Sequence, residues 1–349
     1  MARSADSPFA RLLAAAGHVT RRYGPWISLA GGVVTALLWR EGIDQIRAAV
    51  VLASLAGAIT LLLLFPPWSR SRATGMAGHR WVRSAAWWAT VNLAQNALWF
   101  VIPFYVLSTS WLSRNAAFTL LLLALGVLSC FDVFLRERVL RGRGAAVAFV
   151  TPALLAALQL FLPILSGVPP RLTVYASGAV AAIAAAGLAW PDAFLRRRPG
   201  RRSLGAAALV AALGALAGRA ALPLLAPAPL RLASATFATG RSGLDPDGPV
   251  HVLVAAPKGA AYVFIALEAP RGLTERVRLV VSGEGEHETR PLEVTGGRAG
   301  GYRLWAPVRR DAPGRIRAMV RTEGGQIVGA ASIDVVEPDA APAPALAAR

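Results

Sequence analysis

The sequence predicts an all-α multi-pass transmembrane bundle of about seven helices, followed by an all-β, immunoglobulin-like antiparallel sandwich. Three observations predict this. Seven apolar segments, each long enough or nearly so to cross a bilayer, fill the first 225 residues. The arginines between them alternate in number from one connection to the next. After residue 225 the apolar pattern switches to the two-residue period of strands.

The segments are Tyr23–Trp39, Ala48–Trp68, Ser84–Ser108, Asn115–Leu135, Ala145–Ser166, Leu172–Trp190 and Leu204–Leu225. Spanning the hydrocarbon takes about 20 apolar residues, and in lipid a lone segment satisfies its backbone only as a helix. The first is short and interrupted by Gly31 and Gly32. It ends in Trp39-Arg40 with no small-residue cleavage site, so it reads as a retained span and not as a cleaved signal.

Charge sets the expected topology. Arg3, Arg11, Arg21 and Arg22 precede the first span; Arg70, Arg72, Arg80 and Arg83 follow the second. Arg136, Arg138, Arg141 and Arg143 follow the fourth, and Arg196, Arg197, Arg198, Arg201 and Arg202 the sixth. The intervening connections hold only Arg40, Arg47, Arg114 and Arg171. A 17-to-4 division places the N-terminus in the cytoplasm of a bacterial inner membrane and everything after the seventh span in the periplasm. Trp81, Trp87, Trp88, Trp111 and Trp190 fall near the expected interfaces, as an aromatic belt would.

The expected organisation is a cytoplasmic tail over 1–22, the helical domain over 23–225, a Pro/Ala linker over 226–230, the β domain over 231–338 and a disordered tail over 339–349. Expected strands are Arg231–Phe237, Val250–Ala255, Tyr262–Leu267, Arg276–Val281, Thr289–Val294, Tyr302–Val308, Arg315–Arg321 and Ile327–Val336. Tyr262–Leu267 is apolar on both faces and reads as a central strand. Gly324-Gly325 reads as the turn of a hairpin.

Composition narrows the function. The 349 residues are 55% hydrophobic and 16% charged, with a net charge of +18. Up to residue 228, 22 arginines face 6 acidic side chains, a net of +16; beyond it the net is only +2. The excess thus belongs to membrane topology, and no nucleic-acid readout accompanies it. Cys130 stands alone, so no intramolecular disulfide can form. His18, His79, His251 and His287 have no ligand spacing, and no phosphate loop, nucleophile elbow or His-Glu-x-x-His occurs. No metal, no cofactor and no catalytic residue is expected.

Four intramembrane polar residues are candidates. Asn92, Gln95 and Asn96 fall on one face of the third span with Trp88, Trp99 and Pro103. They line a polar path for a solute or lipid headgroup, or they are hydrogen-bonding glue between helices. Arg219 lies about 15 residues into the seventh span; it snorkels to the outer headgroups or pairs inside the bundle. Asp132 and Asp192 sit four residues before Arg136 and Arg196, a spacing that favours ion pairs over catalysis. On the β domain, Tyr302 and Trp305 fall on opposite strand faces around Arg303, and the exposed aromatic offers a glycan or a partner protein a contact.

Three β-domain motifs carry a resemblance: Gly300-Gly301-Tyr302-Arg303-Leu304-Trp305, Pro313-Gly314-Arg315-Ile316-Arg317 and Glu323-Gly324-Gly325-Gln326-Ile327-Val328-Gly329. They resemble the bacterial family of domain of unknown function twenty-nine-fourteen. The helical part, with Gln95-Asn96 and Ile102-Pro103-Phe104-Tyr105, is similar to membrane regions preceding that domain. The resemblance implies no known activity and no catalytic residue. The expected function is a non-enzymatic membrane protein with a periplasmic interaction module in a lipid bilayer. The alternative is a transporter or lipid-handling enzyme using the polar face of the third span.

Overall fold

The computed structural model describes residues 50–53, 56–57, 95–111, 113–131, 143–190, 201–256, 259–271, 273–283, 286–289, 291–297 and 301–338. The first expected span, most of the second, Asn92 and the terminal tail lie outside these residues. So do Asp132 and Asp192 with their arginines.

The described part of the N-terminal half is helical. Residues 95–108 are helical (α1), followed by α2 (Ala116–Cys130), α3 (Arg143–Ser166), α4 (Pro170–Ala189) and α5 (Arg201–Ala221). Among the described residues three helices are long and apolar enough to cross a membrane: Arg143–Ser166, Pro170–Ala189 and Leu204–Leu224; α2 is a shorter apolar helix. The expected seven are therefore three here, with the first two segments falling largely outside the described residues. Helix α5 presents Leu204, Leu209, Leu213 and Leu216 outward, so its apolar surface is not consumed by packing. Such a face matches a hydrocarbon solvent.

The chain divides into two compact units. The first comprises Met1–Pro103, Leu120–Phe161 and Tyr175–Gly218. Its closest helix pair is α4 with α5, where Gly178 and Gly214 stack backbone on backbone. A Cβ on either residue would overlap the other's carbonyl oxygen. Small residues allow this approach, and van der Waals contact along the two backbones then holds the pair. Trp99 and Ile102 of α1 close over Gly126 of α2, and Phe100 stacks on Phe161 at 5.6 Å.

The second unit comprises Phe104–Thr119, Leu162–Val174 and Arg219–Arg349. After α5 a short 3-10 turn, Leu222–Leu224, leads through the cis peptide Ala228–Pro229 into a β region with ten strands among the described residues. These are β1 (Arg231–Ser242), β2 (Asp245–Val250), β3 (Val252–Val254), β4 (Ala260–Glu268) and β5 (Thr274–Ser282), then β6 (Glu286–Glu288), β7 (Leu292–Thr295), β8 (Tyr302–Arg309), β9 (Gly314–Thr322) and β10 (Ile327–Val336). One sheet runs β2-β1-β4-β8; the other runs β3-β10-β9-β5-β6, with β7 also on β5. Side chains of both sheets share one core, with Val263, Ile265 and Leu304 from the first and Val277, Leu279, Val320 and Ile333 from the second.

Strand β4 is central, as its two-sided apolar pattern implies, and β10 spans the expected Ile327–Val336. Three details differ from expectation. The expected strand Thr289–Val294 is replaced by β6 and β7, which pair with different stretches of β5. The stretch Asp245–Val250 pairs with β1 although its Asp-Pro-Asp-Gly-Pro sequence reads as a turn; an edge strand tolerates proline because one row of N–H groups has no ladder to join. Strand β3 runs parallel to β10, so the pairing is not wholly antiparallel.

Gly178→Ala should lower the unfolding midpoint of the purified protein through an overpacking cost of about 1–3 kcal/mol. Gly205→Ala on the same helix pair, where a Cβ meets nothing within 4 Å, should leave it unchanged or raise it. Equal effects of the two would show that the backbone contact does not matter.

Candidate functional site

The amides of the third span do not converge in the described part of α1. Gln95 is buried, and its Nε2 donates to the Cys130 thiol sulfur at 3.6 Å, while that thiol donates to the Gly126 carbonyl at 3.4 Å. Asn96 is exposed. Consecutive helical residues are about 100° apart, so one seam takes one of the two. Arg219 is exposed in the last turn of α5, where a cation meets the carbonyl end of the helix.

On the β domain, the alternation of β8 turns Tyr302 toward the core and Trp305 to the opposite face. There Arg241 lies over the Trp305 ring at 4.2 Å, and Tyr262 meets the same ring edge-on at 5.7 Å. Arg303 is ion-paired with Asp245. The β1–β2 hairpin thereby supplies partners for both Arg303 and Trp305.

A polar cluster in the second unit assembles instead around the turn joining β9 to β10. Thr322 and Gln326 close this turn: Thr322 N–H donates to the Gln326 carbonyl at 2.9 Å, and Gln326 N–H donates to Thr322 Oγ1 at 3.2 Å. Gly325 takes φ +87°, which needs no side chain at the tip. Three connecting segments grip this turn. Asn115, ahead of α2, donates its Nδ2 to the Ile327 carbonyl at 3.1 Å. Arg171, in the first turn of α4, is ion-paired with Glu323. Gln326 Nε2 donates to the carbonyls of Leu225 at 3.1 Å and Ala226 at 3.3 Å, just past the end of α5. Gly324 lies so close to the Leu222 side chain that a Cβ would come within 2.8 Å of it.

Beside the ion pair is Glu275 of β5, only 2% exposed. Its Oε1 accepts the Arg276 N–H at 3.0 Å; Oε2 has no hydrogen-bond partner among the described residues. The Arg276 carbonyl in turn accepts the Glu323 N–H at 2.8 Å, so β5 and the turn are joined at this point. Burial pushes the Glu275 carboxyl up to about 7, against the pull of the Arg276 N–H and the Arg171 charge, while Glu323 adds repulsion. A carboxyl that titrates near neutrality in a partly closed seam can hold or release a proton; no group of three or more metal-ligating side chains lies among the described residues.

Sequence reasoning assigned Arg171 to a connection and Glu323 and Gln326 to a turn motif, without joining them. Glu275 carried a readable signal. It shares parity with Val277, Leu279 and Val281, the inward side of its strand.

The chain belongs to the family of unknown function DUF5924, whose model matches residues 7–243, the helical half and β1. The match ends before the three β-domain motifs, so it does not bear on their expected likeness to the twenty-nine-fourteen family. No curated protein matches the chain.

Gln326→Leu should destabilise the full chain by about 1–3 kcal/mol in thermal or denaturant unfolding, because two buried carbonyls of the connection after α5 lose their donor. Gln95→Leu, which removes one contact to a weak acceptor, should cost at most about 1 kcal/mol and leave the folded yield intact. If Gln95→Leu were the more damaging of the two, the amide in α1 would be the structural centre instead.

Proposed function

We propose that this DUF5924 member is an integral inner-membrane protein of seven spans, N-terminus cytoplasmic, whose periplasmic β domain is an interaction module of immunoglobulin-like sandwich type. The observation that carries the reading is the loop-by-loop arginine alternation, 17 against 4, around apolar helices of spanning length. The outward leucines of α5 support lipid as its neighbour. The two sheets around one core support the sandwich, and the β-domain motifs that resemble the twenty-nine-fourteen family support a module that recurs outside this chain.

The role is structural or sensory and tied to the envelope. The partner is a periplasmic protein or glycan met through the β8 side of the domain, where Arg309 is exposed beyond the Arg241–Trp305 stack. The buried amide of the third span, Gln95, is committed to Cys130. The transporter or lipid-handling alternative would need Asn92 and Asn96 to act without Gln95.

In a Cys130→Ser background, a cysteine replacing Gly243 at the β1–β2 turn should react with an impermeant maleimide in intact spheroplasts. One replacing Ser203 at the start of α5 should react only after permeabilisation. The reverse pattern would overturn the topology. A photo-crosslinking side chain in place of Arg309 in the full chain should give a discrete adduct in cells; its absence there and at Trp305 would remove the interaction role while leaving the topology standing.

A further inference from the structure

The seam at the β9–β10 turn contains one cation for two carboxylates. Arg171 is ion-paired with Glu323, and both side chains are less than a third exposed. Glu275 is in electrostatic reach of both and is more deeply buried than either. Its Oε2 and the Arg171 Nε are buried polar atoms without hydrogen-bond partners among the described residues. A neutral Glu275 leaves this seam with a balanced ion pair. An ionised Glu275 leaves a surplus negative charge under the turn, within electrostatic reach of a guanidinium already engaged.

We infer that Glu275 is a proton-operated latch for the β9–β10 turn. Neutral, it lets Arg171 hold Glu323, and the turn stays seated on the segments that carry Arg171, Asn115 and Gln326's carbonyl partners. Ionised, it competes with Glu323 for the same guanidinium and loosens the seat. The step is a single proton moving between the Glu275 carboxylate and solvent, with no other bond made or broken.

The charged groups around Glu275 can be stated element by element. Arg171 comes from the start of α4 and Glu323 from the β9–β10 turn. On β5 and β7, Arg276 and Glu293 face each other at 3.9 Å and are both more than half exposed. Arg114, next to Asn115, is exposed. The two groups that bear on the proton are therefore Arg171, which favours the carboxylate, and Glu323, which opposes it.

The direction follows from the raised value. A carboxyl moved from 4.5 to about 7 stabilises the seated form fully below about 4.5, and that contribution is lost as pH rises through about 7. The latch thus closes on the acid side of neutrality and opens on the alkaline side. This holds whichever side of a membrane the strands occupy.

The test is amide hydrogen exchange on the full chain in lipid nanodiscs, following the peptide that covers Thr322–Ile327 after correction for the intrinsic pH dependence. The opening equilibrium of this turn should rise by roughly tenfold from about pH 5.5 to about pH 7.5, with β4 unchanged. Glu275→Gln should hold the turn at its acid level of protection throughout. Glu323→Gln frees Arg171 for Glu275, so its transition should move toward acid by about one pH unit. A flat wild-type profile, or a profile that Glu275→Gln leaves intact, would overturn the latch. If Glu275→Gln does not fold, the Glu323→Gln profile decides: an unmoved midpoint would overturn it equally. Infrared difference spectra over the same range should show a protonated carboxyl band lost with rising pH, and no such band would also overturn it.

Discussion

Backbone carbonyls buried in a connection, outside any helix or sheet, must find donors elsewhere in the fold. In this chain that constraint falls on the stretch after α5, where Leu225 and Ala226 are almost fully buried and water is scarce. The partner is the side-chain amide of Gln326, which arrives from a turn about a hundred residues later and donates to both carbonyls. The β9–β10 turn is therefore a structural plug in the chain's passage from helix to strand. Asn115 and Arg171 hold the same turn by a neutral hydrogen bond and a charged pair. Each contact is worth little alone, about 1 kcal/mol for a neutral hydrogen bond. They act on one six-residue segment, so moving it strains all of them together.

This arrangement explains why a glutamate is tolerated at Glu275. An apolar residue at an inward strand position would bury at lower cost. The carboxylate is instead placed where a neighbouring backbone N–H and a guanidinium offset part of the desolvation, and where Glu323 prevents full compensation. The result is a group whose charge is undecided near neutral pH. The surface pair Arg315–Asp334 on the same domain shows the contrast: in open solvent the arginine holds the Asp334 carboxyl below its usual range. Burial, more than proximity to an arginine, separates the two carboxylates.

Much of the fold was legible in the sequence, for physical reasons that differ by element. Helices α3, α4 and α5 announce themselves as long apolar runs of spanning length, and their ends fall within a few residues of the hydropathy limits. Strands β4, β5, β9 and β10 show because one or both faces are buried and the side-chain period is two. Strand β2 was hidden by its prolines, which read as turn chemistry but are allowed on an edge. The site was less legible. Gln95 and Asn96 look alike on paper, and only the packing of α1 shows that one is buried and the other exposed. The seam around Gln326 joins residues from positions 115, 171, 225 and 326, a proximity that no local pattern encodes. Glu275 shares parity with the inward Val277, Leu279 and Val281, but it falls one residue outside the expected strand Arg276–Val281.

The family boundary gives this seam a further meaning. The match to DUF5924 covers residues 7–243 and so includes Asn115, Arg171, Leu225 and Ala226, the receiving side of the seat. Glu275, Glu323 and Gln326, the residues that occupy it, all lie beyond the match. It also takes in β1, which pairs with both β2 and β4 and cannot form a sheet alone. The matched region thus ends with one strand in need of partners and three connections carrying groups that need a turn. A β domain that completes the first must also satisfy the second. The two requirements meet at β9–β10, because the strand that leaves the turn is the one that packs against β1 through Gly329 and Leu232. Gly329 has no room for a Cβ there, so the register that seats the turn is also the register that closes the core.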